Sequence, residues 1–161
     1  MLMQNGANVN NLTKDGFCPL RIAAQENHVA IAESLIRHRA DTEIWSVISR
    51  TPLLRAAVGN FFEFFKLLVE NDADVNAQDL SGWKSLHYAI YHKNMSMVNI
   101  LVNEDTNLEL RSFEFGTPMH HVLLDGEYEI FELLISFGAN VDSLTPDKDS
   151  LLHSVSTMLK S

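Results

Sequence analysis

Thr51-Pro52-Leu53-Leu54-Arg55-Ala56-Ala57 decides the fold, because its pattern returns every 33 residues along the chain. Stepping at that interval from Pro19 gives Pro52, Ser85, Pro118 and Leu151. The next column holds Leu20, Leu53, Leu86, Met119 and Leu152, apolar every time. Ala23, Ala56, Ala89, Val122 and Val155 form a third column, small and apolar, whereas Ile22, Arg55, Tyr88, His121 and Ser154 vary freely. Fixed and free columns alternating at one constant spacing are the signature of a repeat architecture.

A second block keeps the same register. Gly6-Ala7-Asn8-Val9-Asn10 aligns with Arg39-Ala40-Asp41-Thr42-Glu43 and Asp72-Ala73-Asp74-Val75-Asn76. It returns as Asp105-Thr106-Asn107-Leu108-Glu109 and as Gly138-Ala139-Asn140-Val141-Asp142. Between the blocks lie two short helical patterns, such as Leu53, Ala56 and Ala57 followed by Phe61, Phe64, Phe65, Leu67 and Leu68. Asn27, Asn60 and Gly126 stand where a left-handed residue ends the first helix. Lys93 is the exception in that column, and Asn94 beside it is the expected substitute.

The openings Thr51-Pro52-Leu53-Leu54 and Thr117-Pro118-Met119-His120, with the ending Phe137-Gly138-Ala139-Asn140-Val141-Asp142, resemble the ankyrin repeat signature. The resemblance covers essentially the whole chain. It implies one all-α domain over residues 1–161, a solenoid of helix-turn-helix pairs linked by β-hairpin-like loops. The expected layout is four complete repeats at 13–45, 46–78, 79–111 and 112–144. Residues 1–12 then end a preceding repeat, and 145–161 are a truncated fifth. Both ends stop within a repeat, so the chain is expected to be a piece of a longer protein, the alternative being that the ends pack on a partner or a second copy. Gly16 and Gly82 supply a free backbone in the hairpins; Ser49 and Phe115 replace them, with Gly116 available one residue later.

Composition narrows the function. The 46% apolar and 20% charged residues suit a globular domain with a sizeable core. The N-terminus shows no signal-peptide pattern and no apolar run spans a bilayer. The single cysteine, Cys18, excludes an internal disulfide. Cytoplasm or nucleus is therefore the expected location, and two glycosylation sequons read as chance matches. A net charge of −9, from 21 acidic against 12 basic side chains, repels phosphate backbones and argues against nucleic acid. A protein partner with a neutral or basic surface fits the charge better; the alternative is that the acidity serves solubility alone.

No catalytic, cofactor or metal constellation emerges, and no enzyme, membrane partner or small-molecule substrate is expected. His87, His120 and His153 share one column a repeat apart. Neighbouring helices stand roughly 8–10 Å apart, whereas zinc needs nitrogens within about 2.1 Å. The resemblance instead implies a scaffold role, with the imidazoles bonded to loop backbone. Cys18 occupies the Thr column of the signature and has no obvious base beside it. Most Asp and Glu are expected on outer helix faces or loop ends.

In ankyrin proteins partners usually dock on the hairpin tips and on the exposed, concave side of the first helices. Here the protein-binding residues expected in those columns are Phe17, Trp45, Val47, Ile48, Arg50, Leu80, Trp83, Tyr91, His92, Arg111 and Phe113. Lys14, Asp15, Gln25, Glu26, Val58, Ser81, Glu114 and Leu124 share the columns. Trp, Tyr and Arg dominate interface energetics. The alternative for such side chains, Trp83 and Phe115 above all, is to fold down and serve the stack. The expected function is a non-catalytic scaffold, adaptor or inhibitor, with a role like that of the NF-κB inhibitors as one form of it. The competing reading is a targeting or regulatory fragment of a larger enzyme, ubiquitin-ligase adaptor or channel.

Overall fold

The structure is a computed structural model, and it describes residues 8–14, 16–44 and 50–141. Among these residues the chain is all-α. Its helices are α1 (Pro19–Gln25), α2 (Val29–Arg37), α3 (Pro52–Val58), α4 (Phe62–Val69), α5 (Ser85–Tyr91), α6 (Met95–Asn103), α7 (Pro118–Asp125) and α8 (Tyr128–Ser136). They divide between two compact units, Met1–Leu80 and Ser81–Ser161. In the first, α1 packs on α2 and α3, and α4 packs on α2 and α3. In the second, α5 packs on α6 and α7, and α8 packs on α6 and α7.

Helices α1 and α3 start on a side chain that caps them. Thr51 Oγ1 accepts from the Leu54 amide at 3.2 Å, and proline follows at the position whose amide would have no partner. Cys18 does the same with sulfur, Sγ accepting from the Arg21 amide at 3.3 Å, and it is fully buried. The thiol therefore stands in for the threonine hydroxyl as a capping acceptor. Lys84 occupies this position before α5, and its ammonium has no lone pair with which to accept from the backbone.

The first helices end on left-handed residues at Asn27 (φ 55°), Asn60 (φ 54°), Lys93 (φ 54°) and Gly126 (φ 70°). The expected rescue by Asn94 is thus corrected. Lys93 itself takes the left-handed conformation, while Asn94, at φ −86°, caps α6 through Oδ1 on the Met97 amide at 3.1 Å. The register of the repeat leaves Asn94 no freedom to move, because its side chain is needed one residue later. A lysine gains nothing locally from a positive φ, and Lys93 pairs with Glu127 across an exposed edge. Such pairs contribute little. Lys93→Gly should therefore raise the urea-unfolding free energy by about 0.5–1 kcal/mol. A loss instead would show that the Glu127 pair outweighs the backbone strain.

The second block forms the turns after the second helices. Asn8, Asp41, Asp74 and Asn107 each accept, through Oδ1, the amide two residues on, at 2.8–2.9 Å. These are Asx-turns, which is why short polar side chains recur there. Neighbouring turns are then laced together: Asn10 Oδ1 accepts from the Asp41 amide, Glu43 Oε1 from that of Asp74, and Glu109 Oε1 from that of Asn140. The period is thus written twice, once in apolar packing and once in side-chain-to-backbone bonds. Gly16, Gly82 and Gly116 all have φ near +73°. Gly116 restores the fourth hairpin one residue late, closing an isolated bridge with Ser112. Ser49 lies outside the described residues, as do His153 and the expected fifth repeat.

The core is the stripe that the period predicts. Leu20, Leu53, Leu86 and Met119 are all at most 1% exposed. Phe64 and Phe65 on α4 are fully buried as well.

Candidate protein-binding surface

In the first unit the expected surface residues have different fates. Phe17 is half-buried, with the Arg21 guanidinium carbon 3.8 Å above its ring centroid. Arg50 is drawn inward: Nε and Nη2 both donate to Asp79 Oδ2 at 3.3 Å, and the Asp79 side chain is only 3% exposed. Asp79 departs from the expectation that carboxylates stay on outer faces, because a fixed guanidinium fork holds its charge. Leu80 stands out at 70% exposure. Trp45, Val47 and Ile48 lie outside the described residues.

The second unit carries a connected ring cluster. Trp83 precedes α5 and is half-buried among rings: Tyr88 at 4.8 Å, His121 at 5.2 Å, Phe115 at 5.6 Å, His87 at 5.8 Å and Tyr91 at 6.1 Å between centroids. These separations fall within the attractive range for aromatic pairs. Tyr91 and Phe115 both stack on His121, and Tyr91 meets His92 edge-on at 5.2 Å. Tyr91, on the last turn of α5, is nevertheless 59% exposed. Trp83 and Phe115 thus serve the stack, and Trp83 at the same time packs against the exposed tyrosine.

The hairpin before α7 is held from several sides. The Phe113 amide donates to Ser81 O at 3.0 Å, and His87 Nε2 lies 3.2 Å from Gly116 O. A Cβ on Gly82 would stand 3.1 Å from Arg111 O, so only glycine allows the two loops to approach this closely. On this fixed backbone Phe113 projects at 79% exposure, and Arg111 is exposed beside it. Leu124, 33 residues after Tyr91 on α7, is 59% exposed.

The histidine column bonds backbone where the structure describes it. His87 Nδ1 accepts a long 3.4 Å bond from the Lys84 amide while Nε2 reaches Gly116 O. His120 Nδ1 meets the Thr117 amide at 3.2 Å and its hydroxyl at 2.6 Å. Among the described residues no three His, Cys, Asp or Glu side chains converge on a metal position.

Two members of the ring cluster, Tyr88 and His121, escape a reading of the sequence because their column varies freely between repeats. The signal that finds them is aromatic character in that column in the two successive copies that also carry Trp83 and Phe115. His121 is almost wholly buried, and burial lowers its pKa against the opposing pull of Asp125. It is therefore an uncharged ring at neutral pH.

A family model described as ankyrin repeats in three copies matches residues 1–79 and 46–112. The chain belongs to the ankyrin-repeat family. Among curated relatives, it is 27% identical over 152 residues to the B-cell lymphoma 3 protein homolog of Mus musculus, covering 88% of this chain and 34% of that protein. It is 28% identical over 144 residues to the nuclear factor NF-kappa-B p105 subunit of Gallus gallus, covering 86% of this chain and 15% of that one. It is 33% identical over 119 residues to ankyrin repeat and SOCS box protein 3 of Homo sapiens, covering 73% of this chain and 23% of the relative. The chain thus spans about a third or less of the length of these relatives. Ankyrin repeats are generally a non-catalytic protein-interaction fold. No helix among the described residues is long and apolar enough to cross a membrane.

Proposed function

We propose that this ankyrin chain is a scaffold, adaptor or inhibitor that holds another protein through its hairpin tips and the exposed faces of its first helices. The observation that carries the reading is the apolar surface of the second unit, where Phe113, Tyr91 and Leu124 are 79%, 59% and 59% exposed. Exposed apolar side chains on a folded surface are candidates for an interaction site, and all three residues stand in columns that vary between repeats. The backbone beneath is already fixed by the Phe113–Ser81 bond and the Trp83 rings, so docking would cost little ordering entropy. The partner is a protein with a neutral or basic surface, given a net charge of −9, met in the cytoplasm or nucleus. A role like that of the NF-κB inhibitors draws support from the relative named as the NF-kappa-B p105 subunit. The SOCS-box relative favours a second reading, an adaptor segment of a larger assembly.

The test is affinity capture from native cell extract with the wild type and a Phe113→Ser, Leu124→Ser double variant. The wild type should retain a specific protein that the variant loses at least tenfold, with helical circular dichroism and melting unchanged. Equal capture by both would remove this surface from the function, and an unfolded variant would make the two residues structural.

A further inference from the structure

The second unit's surface also holds a feature that the apolar contacts leave unused. Asp125, at the end of α7, lies with Oδ2 3.8 Å from His121 Nε2, and its side chain is 34% exposed. His121 packs against Trp83, Phe115 and Tyr91, its side chain is 5% exposed, and its Nδ1 is buried with no hydrogen-bond partner. Burial disfavours the charged form of that imidazole, so His121 itself presents no positive charge at neutral pH. Lys93, two residues after Tyr91, is paired with Glu127 and also feels Asp125. Glu127 and Asp125 thus both act on the same ammonium.

Electron-rich ring faces next to a partly exposed carboxylate are complementary to a planar, weakly hydrated cation. Guanidinium stacks on aromatic faces and binds carboxylate through two parallel N–H donors, whereas ammonium is compact and strongly hydrated. The chain itself shows the contact, with the Arg21 guanidinium 3.8 Å over the Phe17 ring. A second copy of this chain is a poor occupant, since two bodies of charge −9 repel. We propose that Tyr91, the Trp83–His121 ring cluster and Asp125 together seat an arginine side chain presented by a basic segment of a protein partner. This rests on the protein-binding reading above and names the chemistry that the surface selects.

The chain has two tryptophans, so Trp45→Phe makes Trp83 the sole reporter. That protein is titrated with deca-arginine and with deca-lysine at equal ionic strength, following Trp83 emission. Deca-arginine should bind at least tenfold tighter than deca-lysine and shift the emission. Asp125→Asn and Tyr91→Leu should each weaken it at least fivefold with melting unchanged; if one lowers the melting temperature, the other decides. Equal affinity for the two peptides, a silent Trp83, or binding indifferent to the deciding variant would overturn the proposal. Should the peptides fail while Phe113→Ser, Leu124→Ser still abolishes capture, the arginine seat falls and the protein-binding reading stands.

Discussion

Lys84→Met should stabilise the protein by roughly 2–3 kcal/mol at pH 7, and the gain should vanish by about pH 10.5. Lys84 is fully buried, its Nζ has no hydrogen-bond partner, and burial pushes its pKa from 10.5 down to about 8 despite the opposing pull of Glu109. Because the folded pKa lies below the unfolded one, the unfolded chain holds more protons between these values and stability rises with pH there. Below pH 8 the lysine is charged in both states and the whole penalty applies. Above 10.5 it is neutral in both and the penalty is gone. A shift of this size corresponds to roughly 3 kcal/mol. Methionine keeps most of the buried stem and removes the charge.

Lys84→Thr should gain less. It would restore the hydroxyl cap that Thr51 provides before α3, about 1 kcal/mol, but it would also leave a cavity where the stem lay. Urea unfolding of wild type and Lys84→Met from pH 7 to 10.5 isolates the effect, since other titrating groups cancel in the difference. A difference that is flat with pH would mean that the ammonium finds compensation in the fold.

Phe65→Ala should cost about 3–5 kcal/mol and lower the melting temperature by roughly 10–15 °C. Phe65 is fully buried on α4 beside Phe64, and α4 closes the first unit against α2 and α3. Removing the ring loses its transfer free energy and leaves a void that short helices of seven to nine residues cannot fill without losing their own contacts. Repeat proteins bind each element mainly to its neighbours, so hydrogen exchange should accelerate in α3 and α4 well before α7 and α8. A loss below 1 kcal/mol would show that the site collapses around the substitution.

Much of this was legible in the residues because repeats write the same physics several times. Leu20, Leu53, Leu86 and Met119 must be apolar since each first helix buries the same stripe. Asn8, Asp41, Asp74 and Asn107 must be short polar residues since each turn needs the same Asx bond. Asn27, Asn60 and Gly126 announced the left-handed helix ends. Lys93 did not, because a lysine held at positive φ by the register around it has no local signature.

Of the expected binding residues, Leu80, Tyr91, Arg111 and Phe113 stand exposed, while Arg50 turns inward to Asp79 and Trp83 is half-buried among rings. Column variability marks positions where the scaffold makes no demand. It does not distinguish a side chain that reaches solvent from one that finds a partner of its own. Tyr88 and His121 sit in a freely varying column and still pack on Trp83, and buried Asp79 is met by Arg50 from 29 residues away.

The sequence by itself therefore determined the helix pairs, their register, the buried stripe and the turns, because these depend on interactions that recur locally every 33 residues. Only the tertiary structure decided which free-column side chains form a floor and which project from it, and that Lys84 lies buried without an acceptor. Those outcomes depend on single contacts between particular residues brought together in space, and contacts made once leave no period to read.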